Sequence, residues 1–486
     1  MASAVLEVSK PTKRPIVWPQ WLAAADVFLL SIVVGMVSGW TSPYLAKFAS
    51  SDSELPITNE EASWIASIIG IGRIFGALLG VVTVDKIGSK SSVTFSGVPL
   101  AVGWICLLLG NSVSWMYVSR MVSGIGLGMY YSTFPLYIGE ISSPRIRGGL
   151  SSLITLGLPS GTVLGNVVGA YTSIWVFSCA ALVPNLMFVT LFWFKPASAH
   201  YLVIRGRFDE AKRSLEWYNR GVDVTDELET IKQFASFKST DTYMDKFREM
   251  LTPLNRKSIM LVSIVYILVQ LSGLWTMSFY MEIILKNAGV TVVSPHIVVI
   301  VIGVLGIVAG WLTTYMNDAY GRTIMLAVSS TGVAAAFLAL GINYQLLDLG
   351  FDPAETAMQW LPIAAIILFQ MSLSVGILPV PSTLLGEFFP PNIKSLATCF
   401  VNMTSAAFAF FTSKTYQPLV DLLTEKYVFW IYAALMIGLT IYSLVVLPET
   451  KGKSLPEIQD MLAKRKEPVD CVNDDGKMQK DGKIPC

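Results

Sequence analysis

The sequence predicts an all-α membrane protein of twelve transmembrane helices in two parallel six-helix halves. Three observations carry that prediction: few charges, apolar blocks as long as a bilayer is thick, and polar landmarks that recur in the same order in both halves. Of the 486 residues, 53% are hydrophobic and only 14% charged, against about 25% charged in soluble domains. Too few charges remain to coat a soluble surface of this size. Blocks such as Trp21–Trp40, Ile297–Leu312 and Tyr427–Leu447 approach the ~20 residues with which a helix crosses the hydrocarbon core.

Taken in order, the spans fall at 21–42, 62–84, 91–110, 115–139, 149–170, 173–194, 258–281, 295–316, 323–343, 358–386, 395–416 and 427–447. Lys10, Lys13 and Arg14 precede the first span without an evident cleavage site, which predicts a retained helix rather than a removable signal peptide. An even number of spans puts both termini on one side. Connections on that side carry Lys86, Lys90, Arg145, Arg147, Arg322 and Lys394, whereas the other side offers Lys47, Lys286 and Lys426. The positive-inside rule then makes both termini cytoplasmic in a multi-pass protein of the cell membrane.

The organisation that follows is a cytoplasmic N-terminus (1–20), a six-helix half (21–194), a cytoplasmic linker (195–257), a second half (258–447) and a cytoplasmic tail (448–486). Within the linker, Phe208, Ala211, Leu215 and Tyr218 recur at helical spacing and predict short amphipathic helices beneath the membrane. From Lys464 onward the tail is polar and poor in aromatics, a composition that predicts disorder. The landmarks repeat. Asp85-Lys86-Ile87-Gly88 closes span two and Asp318-Ala319-Tyr320-Gly321 closes span eight; Glu140 with Arg147 follows span four and Glu387 with Lys394 follows span ten; Pro196 follows span six and Pro448 span twelve. Parallel halves with a solute site between them describe a carrier.

Other classes are disfavoured. A net charge of +1 implies no nucleic acid or other polyanionic partner. The two histidines, His200 and His296, make no credible metal cluster, and Cys106, Cys179 and Cys399 in spans with Cys471 and Cys486 in the tail make no disulfide framework. No nucleophile–base pair appears, so neither an enzyme nor a cofactor is expected. Asn402-Met403-Thr404 spells a glycosylation sequon, but inside a span it is a chance match.

Several longer motifs are shared with a known family. Arg120-Met121-Val122-Ser123-Gly124-Ile125-Gly126-Leu127-Gly128, with Pro135-Leu136-Tyr137-Ile138-Gly139-Glu140 and Arg147-Gly148, resembles the fourth-helix signature of the sugar porter family of the major facilitator superfamily. Pro448-Glu449-Thr450-Lys451-Gly452 and Pro379, Pro381, Glu387 and Lys394 resemble its C-terminal and tenth-helix motifs. Glu61-Ala62-Ser63-Trp64 and Thr41-Ser42-Pro43 look like the family's insect facilitated trehalose transporter branch. The resemblance implies the major facilitator fold and facilitated transport of a sugar, trehalose or a hexose, by alternating access.

Charges at the inner ends of the spans are the gating candidates: Glu140, Arg147, Glu387, Lys394, Asp85, Lys90, Asp318, Arg322 and Glu449. Pairs between the halves would form when the inner gate shuts. Each is worth ~0.2–1 kcal/mol, and a network of them biases a balanced equilibrium. The family's Asp-Arg-x-Gly-Arg-Arg becomes Asp85-Lys86-Ile87-Gly88-Ser89-Lys90, and its Pro-Glu-Ser-Pro-Arg becomes Pro196-Ala197-Ser198-Ala199-His200. These losses predict a thinner inner ion network.

The sugar site departs further. Against the family's Gln-Gln-Leu-Ser-Gly-x-Asn, the seventh span reads Val269-Gln270-Leu271-Ser272-Gly273-Leu274-Trp275, so one glutamine survives. The fifth-helix glutamine position holds Thr155, the tenth-helix tryptophan position Ser382, and the glutamate before the proline step Ser374. Solute-facing candidates are thus Gln270, Trp275, Thr155, Asn166, Ser382, Asn402 and Arg73. Gln270 and Trp275 point about 140° apart on a continuous helix, so they share a cavity if the helix breaks at Ser272-Gly273.

Two ionisable residues stand apart from these motifs. Asp26 is about one and a half turns into the first span, near enough to reach the cytoplasmic headgroups. Proton-coupled members of the family carry an aspartate where this chain has Val37, which favours facilitated diffusion. Arg73 sits mid-span, where an arginine costs ~2.5–3.5 kcal/mol to insert. It is either a structural cation paired with Asp26 or backbone carbonyls, or a cavity contact for an oxygen-rich or anionic solute. The alternatives to a sugar carrier are a carrier of a less hydroxylated or anionic solute on the same fold, and a non-transporting solute sensor.

Overall fold

The structure, a computed structural model, describes residues 16–49, 55–143, 145–238, 243–390, 393–453 and 455–464. In the first half α1 (Trp18–Gly39) turns at Trp40 into the short α2 (Thr41–Phe48), followed by α3 (Asn59–Ile87), α4 (Ser89–Leu109), α5 (Val113–Ile141), α6 (Arg147–Tyr171) and α7 (Ile174–Trp193). Four short helices follow: α8 (Ala199–Ile204), α9 (Phe208–Tyr218), α10 (Thr225–Lys238) and α11 (Tyr243–Met250). The second half contains α12 (Pro253–Gln270), α13 (Leu274–Asn287), α14 (Pro295–Tyr320), α15 (Arg322–Asp348), α16 (Thr356–Ser372), α17 (Pro379–Phe388), α18 (Lys394–Leu423) and α19 (Glu425–Val445), with α20 (Leu455–Lys464) after them.

Eleven helical stretches are long and apolar enough to cross a membrane. The twelfth span is α5, 29 residues long, whose glycines, serines and Arg120 dilute its apolarity. The first span is longer than its apolar block because the chain stays helical past Trp40. Two others are broken. The seventh is α12 and α13, separated at Gly273, whose φ of +71° is left-handed; any other residue would be strained there. The tenth consists of α16, a π turn at Leu373–Ile377 and α17. Pro379 lacks an amide hydrogen, and the N–H of Leu378 bonds the carbonyl of Leu373 at 3.1 Å, so a wider turn absorbs the break.

Local chemistry sets the helix starts. At α3, Thr58 and Glu61 cap each other reciprocally: Thr58 N–H donates to the Glu61 carboxylate (2.8 Å) and Glu61 N–H to Thr58 Oγ1 (3.2 Å). Glycines then let backbones touch, as membrane helices require when lipid offers no hydrophobic drive between them. A Cβ on Gly76 would fall 2.1 Å from the carbonyl oxygen of Ile125, and one on Gly128 would fall 2.3 Å from that of Arg73. α1 meets α6 in the same way through Gly35 and Gly161.

The linker helices bury a small core of their own, with Ala211 and Leu215 in it. Tyr218 is buried separately, its hydroxyl 3.0 Å from that of Tyr137 on α5. Phe208, expected on the same buried stripe, is exposed with Lys232 over its ring at 5.0 Å. Gln20 ties the linker to the first half, its amide donating to Ser143 Oγ (2.9 Å) and Asn219 Oδ1 (2.6 Å). α20 is tied to the second half, where Lys257 Nζ donates to the Leu462 carbonyl at 2.5 Å.

The halves meet on the side away from the termini. Glu282 N–H donates to Ser42 Oγ (3.2 Å), Ser63 Oγ to the Lys414 carbonyl (3.0 Å), and the Lys414 ammonium lies 4.2 Å from the Trp64 ring. One turn past Arg73 toward the terminal side α3 and α18 still touch, Cys399 Sγ donating to the Ala77 carbonyl (3.8 Å), whereas a Cβ on Gly139 or Gly148 would meet nothing within 4 Å.

Candidate functional site

Helices of both halves converge at mid-depth around Trp275. Gln270, the last residue of α12, donates from Nε2 to Ser405 Oγ on α18 (2.7 Å) and accepts from Trp275 Nε1 (2.6 Å). The break at Gly273 therefore brings Gln270 and Trp275 together despite their spacing, as the Ser272-Gly273 reading requires. A Cβ on Gly273 would also strike the Tyr432 ring at 2.8 Å. In this conformation the amide is fully engaged within the protein, holding the broken helix to α18.

The guanidinium of Arg73 lies between two aromatic rings, 5.1 Å from that of Trp275 and 5.4 Å from that of Tyr131. It is not paired with Asp26. That carboxylate is buried and takes Lys195 at 3.2 Å, so it does not reach toward headgroups either: α1 turns it inward and the start of the linker meets it. Trp275 next touches Phe279 (5.5 Å), and Phe279 lies 5.5 Å from a second guanidinium, that of Arg120. Arg120 is wholly buried. It donates to the Val37 carbonyl (2.5 Å) and to Thr41 Oγ1, lies 4.2 Å from the Trp40 ring, and leaves Nε without a partner. Sequence reasoning treated Arg120 only as part of a signature; a charge inside an apolar span was the signal that it needed partners.

Arg73, Trp275, Phe279, Ser67 and Ser413 enclose a void of about 10 Å³, room for roughly one water. No sugar ring fits there. Asn166 is buried with Oδ1 unpartnered, as is Ser67 Oγ. Asn402 is partly exposed. Thr155 and Ser382 are exposed, and each hydroxyl bonds back to its own helix, to the carbonyls of Ser151 (2.9 Å) and Pro379 (2.8 Å). Ser374 donates to the carbonyls of Gln370 (3.0 Å) and Gly306 (3.3 Å). The structure thus gathers Gln270, Trp275 and Arg73 but not Thr155 or Ser382.

The inner charges form their contacts within halves. In the second half Arg322 pairs with Glu387 (2.9 Å), which also accepts from Thr450 Oγ1 (2.5 Å). In the first half Glu140 accepts from Ser89 Oγ, and Arg147 donates to Ser142 Oγ (3.2 Å). Lys90 donates to the Trp193 carbonyl (2.7 Å) and Lys394 to that of Gly386 (3.1 Å). Asp85 lies near the end of α3 on the same side, and the side chain of Asp318 is outside the described residues, as are Cys471, Cys486 and the basic N-terminus.

Glu449 shows how firmly the second half is locked. Burial alone would raise its carboxyl, but bonds from Thr323 Oγ1 and the backbone N–H groups of Lys451, Arg322 and Thr323 prevail and hold it below the ordinary value of 4.5. A depressed folded-state value stabilises above the unfolded value and is lost as pH falls through it. Glu449→Gln should therefore lower the melting temperature near neutral pH, with the gap to the unmodified protein closing toward about pH 4. A gap independent of pH would remove the charge from this account.

Residues 23–462 match the model of a family described as Sugar (and other) transporter. The facilitated trehalose transporter Tret1 of Bombyx mori is 30% identical over 455 residues, covering 92% of this chain and 88% of that protein. Its Anopheles gambiae counterpart is 29% identical over 460 residues, and the alignment spans 93% of this chain but only 57% of that longer protein. Among solved structures, the proton:xylose symporter XylE bound to 6-bromo-6-deoxy-D-glucose superposes with a TM-score of 0.73 at 19% identity, covering 91% and 99% of the two chains. The partially occluded inward open conformation of the E. coli xylose transporter XylE gives 0.74 at 17%, covering 90% and 99%. At such identity the likeness is one of fold.

Proposed function

Because this chain belongs to the sugar (and other) transporter family, we propose that it carries a sugar, trehalose or a hexose, across the cell membrane by facilitated diffusion. The halves 21–194 and 258–447 rock about the seams α3–α18 and α6–α14, with 195–257 and both termini in the cytoplasm. Orientation rests on the basic residues crowded on the terminal side. In this reading the structure faces the cytoplasm, and Gln270, Trp275, Arg73, Asn166 and Asn402 meet the solute once the centre opens. Glu140, Arg147, Glu387, Lys394, Asp85, Asp318, Arg322 and Glu449 set the balance between facing states.

The observation that carries facilitated diffusion, rather than proton coupling, is the environment of Arg120. Its guanidinium meets a backbone carbonyl, a hydroxyl and two rings, and the side chain at position 37, where an acid would sit, is valine. Among the described residues no carboxylate contacts the guanidinium there to bind and release a proton as the carrier turns. Uptake of labelled trehalose and glucose into reconstituted vesicles should therefore equilibrate at the same level with the pH gradient collapsed. Accumulation above equilibrium under an imposed inward proton gradient would defeat this reading.

A further inference from the structure

Arg73 lies at mid-membrane, and among the described residues no acidic side chain pairs with it. Neither α3 from Ala62 to Val84, nor α5 from Val113 to Gly139, nor the α12–α13 stretch from Pro253 to Met281 contains an aspartate or glutamate. Asp26 is already bound to Lys195. The rings of Tyr131 and Trp275 occupy the neighbourhood of the guanidinium, but rings do not accept its five N–H donors as a carboxylate does. Among the described residues no oxygen takes a hydrogen bond from it, and the side chain keeps some exposure.

Two phenols complete the arrangement. The ring of Tyr131 on α5 lies 5.4 Å from the Arg73 guanidinium, and Tyr266 on α12 interacts with it electrostatically. Both are partly exposed, and neither hydroxyl has a hydrogen-bond partner among the described residues. Phenols are neutral donors at physiological pH. A guanidinium fork with two phenol donors is a receptor for a planar anion, and charge-assisted bonds of 2.7–2.9 Å are the strong ones. Ser67 and Ser413 border the void that Arg73 lines, and Ser67 Oγ lacks a partner, so hydroxyl groups stand beside the guanidinium.

We propose that Arg73, Tyr131 and Tyr266 form a carboxylate-binding site, and that this carrier accepts sugar acids, solutes bearing one carboxylate beside several hydroxyls. The inference rests on the sugar-carrier reading above and names the solute class more closely. Since α3 and α5 belong to one half and α12 to the other, a bound carboxylate would be held by both moving bodies. A neutral sugar leaves the guanidinium unmatched, and that difference is the source of selectivity.

The test uses the full-length protein in vesicles with labelled glucuronate and labelled glucose. The half-saturation concentration for glucuronate should be about tenfold below that for glucose. Arg73→Gln should erase that ratio, Arg73→Lys should restore part of it as a charge without the fork, and Tyr131→Phe should reduce it while preserving the ring. Tyr131→Phe also serves if Arg73→Gln does not fold. Glucose uptake without glucuronate uptake, or a ratio unmoved by these variants, overturns the carboxylate site and leaves the sugar carrier standing. Equal competition by chloride or acetate overturns the sugar-acid assignment in favour of a simple anion site. Labelled trehalose is run in parallel; if neither it, glucose nor glucuronate enters, the carrier reading itself fails, and this inference with it.

Discussion

Gly128→Leu should leave almost no folded protein in the membrane. A Cβ at this position would sit 2.3 Å from the carbonyl oxygen of Arg73 and 2.8 Å from the backbone nitrogen of Ala77. Both are backbone atoms of a helix, so neither can swing aside. The same seam is reciprocated by Gly72, whose Cβ would lie 2.2 Å from the Met121 oxygen, and by Gly76 against Ile125. A larger side chain has to push α3 and α5 apart along their whole contact, and we expect a loss above about 4 kcal/mol, the range reserved for severe overpacking. Gly139→Leu on the same helix is the control, since a Cβ there meets nothing within 4 Å; it should change stability by less than ~1 kcal/mol. Monodisperse yield and melting temperature in detergent decide between them. Equal behaviour of the two variants would mean that the seam tolerates separation.

Gln270→Ala should both destabilise the protein and weaken solute binding. The substitution removes the acceptor of Trp275 Nε1 and the donor to Ser405 Oγ, and buried polar atoms left alone cost about 1–3 kcal/mol. Freed from Gln270, the indole no longer stays beside Arg73 at the centre. The half-saturation concentration should rise by at least about tenfold, the equivalent of one such bond. Gln270→Glu can accept from both Trp275 and Ser405, so it should recover most of the lost melting temperature. If Gln270→Ala keeps its melting temperature and its uptake kinetics, the amide neither holds the break nor positions the indole.

The sequence makes the architecture legible because lipid leaves the backbone few choices. Each span must satisfy its own hydrogen bonds, so each shows as an apolar block, and the break at Ser272-Gly273 shows because glycine marks it. The tenth-span π turn is hidden, since Pro379 announces a disturbance but not its form. Asp26 is hidden for a different reason: its partner, Lys195, sits at the start of the linker. Hydropathy says nothing about which distant residues meet. Thr155 and Ser382 are family positions whose hydroxyls fold back onto their own helices, which residue type alone does not reveal. Tyr131 and Tyr266 carry no motif, and only their placement around Arg73 suggests the role proposed for them.

The void at the centre has one last implication. Roughly 10 Å³ between Arg73, Trp275 and Ser413 admits about one water. A water held there has to leave before a solute reaches Trp275, and its release adds a favourable entropy to solute entry.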